Sequence, residues 1–437
     1  AGVGIEAQGS VALDAFGVLI AKGSFKLQIG TVTHLGADNA LGGTGLNGDT
    51  TYQALALTLG ISSFVGATKV ETFVGVGGEL KDVNGDDGLT TGSFSDDTVD
   101  FAAGLGFYAS LDSLSLVTLK NNNGTPLVTT DDKSYMALEI SGLTAQLVGI
   151  DGLNAAVSKA GLKLNTASDT DNNVATVPAK LDWPTFFGNT AGLRPASIPN
   201  VDAGIELMVS GYATISVADF LHLSGQFSFS MSSVLKTVKI AGGTAPDKQV
   251  TVMTVGASDV NAFVGIGGPY FVDSSENGFI DEFDTPQADG AMGFVLRDLE
   301  FALALFKSGS ASDKSSYYSI HAEGGAEVVG IDGITIRADR LAVDINGGKN
   351  NAGAPEALNL ATSFAGGLVV QTGIDPDGAG AGAAPSITLD YTADVIRAHG
   401  AVTIIIDNFV YVSGNFEFFK STTPQTIVLT NGTSKTV

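Results

Sequence analysis

The carboxylates gathered on short loops are the residues of this chain best placed to do chemistry. After Gly78 the chain reads "DVNGDDG", which holds Asp82, Asn84, Asp86 and Asp87; after Gly268 a second loop holds Asp273, Asp281 and Asp284. Ca²⁺ takes about six to eight hard oxygens, and acid, amide and acid in alternation on a tight loop supply them. The first loop follows the EF-hand order at its first, third and fifth places. It then departs, with Gly88 one place late and Ser93 where the closing Glu would stand. The second loop does not keep that spacing. Two readings stand: a solvated acidic loop, or one structural Ca²⁺ per unit held by Asp82, Asn84, Asp86, Asp87, Asp273, Asp281 and Asp284. Ca²⁺ is the one cofactor suggested.

Other chemistry is harder to find. "GGTGLNGDT" from Gly42 resembles the Ca²⁺-binding nonapeptide of secreted toxins and adhesins, but Asn47 and Asp49 stand where it needs Asp and an apolar residue, and it occurs once. A plain turn is the better reading. The histidines can be tested internally. By the repeats described below, His222 corresponds to Ile20 and Tyr411, and His321 to Ile140. An imidazole with a catalytic task would not be exchanged for isoleucine unless only one unit were active, so both read as strand side chains. His34 and His399 have no partner cluster in sequence. No His-Glu-x-x-His run, phosphate loop or nucleophile elbow occurs, and the chain reads as no enzyme. The single Trp183, in "LDWP", reads as a core anchor.

Bulk properties narrow the class. The chain has 437 residues, 44% hydrophobic, with 57 Gly, no Cys and a net charge of -24. Such a field repels phosphate backbones, which argues against nucleic acid, and attracts cations. Of the acids, 34 are Asp and 12 are Glu; Asp suits turns and oxygen-ligand sites, Glu suits helix surfaces. Disulfides and thiolate metal sites are impossible. No apolar run is long enough for a membrane-spanning helix. The numbering opens at Ala1 with neither Met nor signal peptide, as in a processed or partial chain.

Self-similarity organises the rest. "GSVALDAFGVLIAKGSFKL" at Gly9 returns as "GYATISVADFLHLSGQFSF" at Gly211 and "GAVTIIIDNFVYVSGNFEF" at Gly400. "FVGVGG" at Phe73 returns as "FVGIGG" at Phe263, "GFYASLDSLSLVTLK" at Gly106 as "GFVLRDLEFALALFK" at Gly293, and "LVGIDGL" at Leu147 as "VVGIDGI" at Val328. The order holds over a period of roughly 190 residues. The expected units are 1–200, 201–389 and a truncated third at 390–437, cut from a longer array. Period-two alternation dominates. "FSFSM" places Phe227, Phe229 and Met231 on one face, and "ITIRADRLAVDI" alternates Ile334 and Ile336, then Leu341, Val343 and Ile345. "FVGVGG" reads as a bend with Val74 and Val76 facing the core, and "DYTADVIRAH" as two turns of helix. The fold class expected is all-β: tandem β-rich units, sandwich-like or rolled and curved sheets in series, elongated, with very little helix.

"GSFKL", "FVGVGG", "LVGIDGL" and "KLDW", recurring at this period, resemble the tandem units of giant repetitive secreted bacterial surface and adhesin-like proteins. The resemblance covers essentially the whole chain and implies an extracellular, cell-surface location with no catalytic residue. The first reading is a structural protein forming a fibre, sheath or surface layer by head-to-tail or lateral self-assembly through edge strands, stiffened by sheet packing and by calcium in the acidic loops. The alternative is an adhesin-type module that grips glycans or another cell. A third possibility is a long amphipathic sheet whose apolar face carries lipid, which requires an open groove.

Overall fold

The computed structural model describes residues 2–36, 48–60, 69–82, 97–122, 127, 130, 131–169, 177–218, 220–232, 234–243, 245–276, 284–287, 289–374, 384–407, 409–420, 426–430 and 432–436. These residues are nearly all strand, in large antiparallel sheets, with two short helices. The chain divides into two compact units, Ala1–Gly211 and Tyr212–Val437.

Unit 1 runs β1 (Val3–Ala15), β2 (Leu19–His34), β3 (Thr50–Leu59), β4 (Val70–Val76), β5 (Glu79–Lys81), β6 (Thr98–Asp100), β7 (Leu105–Leu111), β8 (Ser113–Asn121), β9 (Lys133–Val148) and β10 (Leu153–Asp169). Helix α1 (Trp183–Gly188), β11 (Thr190–Gly192) and β12 (Ile205–Val217) follow, β12 continuing past Gly211 into unit 2. β1 pairs with β2, β2 with β3 and β4, β3 with β8, β4 with β7, and β9 with β7, β8 and β10, all antiparallel.

Unit 2 continues with β13 (Leu221–Ser232), β14 (Lys236–Ile240), β15 (Lys248–Ile266), β16 (Met292–Ser308), β17 (Ser316–Val329) and β18 (Ile334–Lys349). After β19 (Leu358–Asn359) and α2 (Leu360–Ser363) come β20 (Leu368–Gln371), β21 (Ser386–Leu389), β22 (Val395–Ile406), β23 (Val410–Lys420), β24 (Thr426–Val428) and β25 (Ser434–Thr436). Here β13, β15, β16, β17, β18, β22 and β23 pair in that succession. The helix expected at "DYTADVIRAH" is not formed. Its second half is β22, held in a ladder on both sides, and that pairing overrides a weak helical pattern.

One face of each sheet is covered. In unit 1, Val32, Tyr52, Ala56, Val117, Leu119 and Tyr135 meet Trp183, Phe186, Phe187, Leu193 and Val201 from the segment that crosses over them. The local chemistry fixes that segment. The Asp182 carboxylate caps α1 by accepting from the Thr185 amide at 2.8 Å, with a proline in the first turn where no amide is missed. Buried Asn165 on β10 donates to the carbonyls of Leu181 and Asp202 at 2.8 and 2.9 Å and accepts from the Trp183 indole at 3.1 Å. Trp183 is thus the anchor its isolation suggested. Unit 2 repeats the device with Asn359 capping α2 and buried Asn346 donating to the carbonyls of Leu358 and Ala393. Its core joins Val250, Val252, Ala304, Phe306 and Tyr317 to Leu358, Leu360, Val370 and Leu389.

A line of β-bulges crosses the strands. On β10, β15, β16 and β18 the ladder slips at Lys159, Asp259, Asp298 and Arg340, and each of these residues has φ between 50 and 53. A bulge leans toward its neighbour, so the opposing residue must lack a Cβ. A Cβ on Gly225 would lie 2.8 Å from the Cα of Val260, and one on Gly23 would lie 3.2 Å from that of Val70. This is the physical reason for Gly23 and Gly225 in the first two copies of the first sequence landmark; at Gly414, in the third, a Cβ would meet nothing within 4 Å.

Candidate functional site

A bulge adds one residue, so an apolar series that keeps to one face must step by three instead of two. The sequence does so at each bulge: Ala257 to Val260, Leu296 to Leu299, Ala338 to Leu341, Val157 to Ala160. The face opposite the covered one therefore stays apolar across the bulges. In unit 2 one row, strand by strand, reads Phe229, Val255, Leu303, Ile320, Ile345 and Ile396. Another reads Leu221, Val264, Phe294, Val328, Ile336, Ile404 and Val412. In unit 1 five leucines, Leu27, Leu57, Leu116, Leu138 and Leu164, stand in register across β2, β3, β8, β9 and β10.

This face is open. None of the buried clusters contains a residue of it, and α1, α2, the β5–β6 hairpin and the β20–β21 hairpin contribute their buried side chains to the other face. The side chains are half-buried in the middle of the sheet and exposed toward one end, where Val264, Phe294 and Phe107 reach 43, 46 and 65%. Val74 and Val76 belong to this exposed end, against the expectation that they face the core. Phe73, one residue away in a period of two, is the buried one, packed with Ile20 and Val99. At the opposite end the apolar surface stops in a polar row, Thr251, Lys307, Ser316 and Lys349. From that row to the turns, the unit 2 face on β13, β15, β16, β17, β18 and β22 carries no polar side chain other than Tyr318. A soluble surface rarely exposes more than a few hundred Å² of contiguous apolar area. Hydrocarbon, or another apolar sheet, is what such a face accommodates.

The acidic loops are less telling. Asn84, Asp86, Asp87 and Asp281 lie outside the described residues, which include Asp82, Asp273 and Asp284. Asp284 Oδ1 accepts from the backbone amides of Ser274 and Ser275 at 2.9 and 3.0 Å, and Asp273 Oδ1 accepts from the Ser275 hydroxyl at 3.3 Å. The Asp284 carboxylate thus closes its own loop. Among the described residues no three His, Asp or Glu side chains converge as a metal cage.

The covered side of unit 2 holds a polar cluster that sequence reasoning missed. Asp344 is buried and accepts from His321 Nδ1 at 2.8 Å, the Tyr391 hydroxyl at 2.7 Å and Arg397 at 2.6 and 2.9 Å, with His399 Nε2 at 3.7 Å. Burial would raise this carboxyl, but the bonds from His321, Tyr391 and Arg397 outweigh it and hold it at about 2. His399 therefore does have partners. They lie far along the chain, joined only by strand register, so spacing could not reveal them. Beside the cluster is a cavity of about 760 Å³, lined among others by Arg297, Glu300, His321, Glu323, Arg337 and Arg340. Burial, together with neighbouring Asp259, Asp298 and Glu323, pushes Glu300 up against the Asp259 amide that holds it down. His222, set between Ser216 and Ser224, is a strand side chain whose pKa burial lowers.

No protein family, curated protein or solved structure matches this chain.

Proposed function

We propose that this chain is an extracellular repeat protein whose sheets hold lipid hydrocarbon on their apolar face. The single observation that carries the reading is the uncovered face, apolar across β13, β15, β16, β17, β18 and β22 from the polar row to the turns. Repetition is supported by the shared succession of antiparallel pairings in the two units and by the N-capped crossing segment clamped by a buried Asn in each. The test is lipid extraction from the purified full chain, followed by titration with a short-chain phosphatidylcholine below its micelle concentration, read by native mass spectrometry. Bound or bindable lipid is expected, and Leu303→Asp is expected to abolish binding in unit 2.

A second reading uses the same surface: copies associate laterally, face to face, into a fibre, sheath or surface layer. The apolar rows favour it, while a net charge of -24 on every copy opposes close self-association. Filaments by electron microscopy with no bindable lipid would select this second reading.

A further inference from the structure

The apolar face does not end at the last ladder rung. On the side away from the lysine row it runs into the hairpin turns, and the β1–β2, β9–β10, β12–β13, β17–β18 and β22–β23 turns each present exposed apolar side chains. In unit 1 these are Phe16, fully exposed at 101%, Val18 at 50% and Ile150 at 43%. In unit 2 they are Phe220 at 56%, Ile331 at 42% and Phe409 at 88%. The register places each set at one end of its sheet. Leu221 and Ile406 stand in the same outer rows as Val264, Phe294, Ile334 and Val410, and Leu19 stands opposite Val74 next to Phe107.

The turns are built to present these residues. The Val18, Phe220 and Phe409 amides each close a tight turn onto the carbonyls of Ala15, Val217 and Ile406 at 3.0 to 3.1 Å. The first central residue of each is left-handed: Phe16, Ala218 and Asp407 have φ of 57, 44 and 42. A tight hairpin turn that opens on a left-handed residue matches the twist of its strands. In the "GIDG" turns, Ile150 and Ile331 accept from the Leu153 and Ile334 amides at 3.1 Å. None of these side chains packs in a core cluster, so the core does not account for them.

We propose that the turn edge of each unit docks on a lipid bilayer, sinking its Phe and Ile tips to the boundary of headgroups and acyl chains, so that the apolar face of that unit is continuous with the membrane interior. Bulky apolar tips on a polar backbone turn suit that boundary. The charge decides the surface. Asp14, Asp151, Asp332 and Asp407 flank the tips, and the turns hold no Lys or Arg, so an anionic leaflet is repelled and a zwitterionic one accepted. The lysine row at the far end leaves that edge without an apolar lip. The inference rests on the lipid reading above, which it extends from what the face holds to how it is filled.

The experiment is flotation of the full chain with vesicles of phosphatidylcholine alone, and of phosphatidylcholine with phosphatidylglycerol, at low salt. A variant carrying Phe16→Ser, Phe220→Ser and Phe409→Ser is compared, its fold checked by circular dichroism. The wild-type chain is expected to float with the zwitterionic vesicles and at least about tenfold less with the anionic ones. The triple variant is expected to lose flotation by a similar factor while still taking up monomeric short-chain phosphatidylcholine. Flotation unchanged in the triple variant, or stronger with phosphatidylglycerol, overturns the docking edge. A chain that takes up monomeric lipid but never floats overturns it too and leaves the lipid-holding face standing. A chain that does neither removes both.

Discussion

At the crease the two units reach one result by different routes. In unit 2, β15 and β16 run unbroken through Asp259 and Asp298, each in left-handed backbone. In unit 1 the same stretch is interrupted: β7 ends at Leu111, Asp112 stands outside the ladder, and β8 begins at Ser113. Either way the apolar series jumps three positions, Leu296 to Leu299 or Leu111 to Leu114, and remains on its face. Strand continuity differs between the units while the apolar face is kept. The covered sides differ more. A Trp fills the crossing segment in unit 1 and a Leu in unit 2. The cross-strand pair Glu139 and Lys163 of unit 1 occupies the kind of place that His321 and Asp344 hold in unit 2, with the acid on the other strand.

The sharpest way to break the comparison is to place the same charge on adjacent residues. Ala302 is fully buried on the covered face; Leu303 is half-buried on the open one. Ala302→Asp buries a carboxylate with no partner and is expected to cost about 4 kcal/mol or more. Leu303→Asp keeps its carboxylate near water and is expected to cost about 1 kcal/mol while removing lipid binding. Urea denaturation of both variants decides it, and equal losses would mean that the second face is covered. Next come the two crossing segments. Trp183→Ala empties a large site and strips the Asn165 oxygen of its donor, for about 4 kcal/mol; Leu360→Ala is expected nearer about 3 kcal/mol. A larger loss at Leu360 would reverse the ranking of the two cores.

Much of this was readable in advance, and what was not has a physical cause. The strands and the alternation in "FSFSM" follow from period-two patterning, and Trp183 as an anchor from its isolation in "LDWP". The phase slip in "ITIRADRLAVDI", with Ile336 and Ala338 giving way to Leu341 and Val343, is a bulge written into the sequence. The open face was not readable. Alternation says that one face is apolar but not whether anything covers it, so the pattern alone points Val74 and Val76 to a core on the wrong side of Phe73. The Asp344 cluster was invisible because His321, Tyr391 and Arg397 meet only through strand register.

Acid separates the units again. The Asp344 carboxyl sits at about 2, below its ordinary 3.8. Between those values the folded chain binds fewer protons than the unfolded chain, so the contribution to stability is complete above pH 3.8 and is lost as pH falls toward 2. The expected size is about 2 kcal/mol. Asp344→Asn is expected to flatten this part of the acid limb while lowering stability at pH 7. Denaturation of both proteins between pH 2 and 5 measures it, and parallel curves would show that the cluster does not set the acid response of unit 2.

The smallest effect concerns calcium. We propose that any Ca²⁺ increment arises mainly from the unit 1 loop with its closer EF-hand spacing, because in unit 2 Asp284 Oδ1 already serves two backbone amides. A cation there would have to compete with bonds that hold the loop shut. Asp284→Ala would release those amides to water, at about 1 kcal/mol by analogy with losing a helix cap. Its cost should be the same with Ca²⁺ as with chelator, because the carboxylate's task is structural. Thermal melts of wild type and variant in both conditions form a closed cycle. A cost that grows when Ca²⁺ is added would assign Asp284 to a cation site and erase the distinction between the two loops.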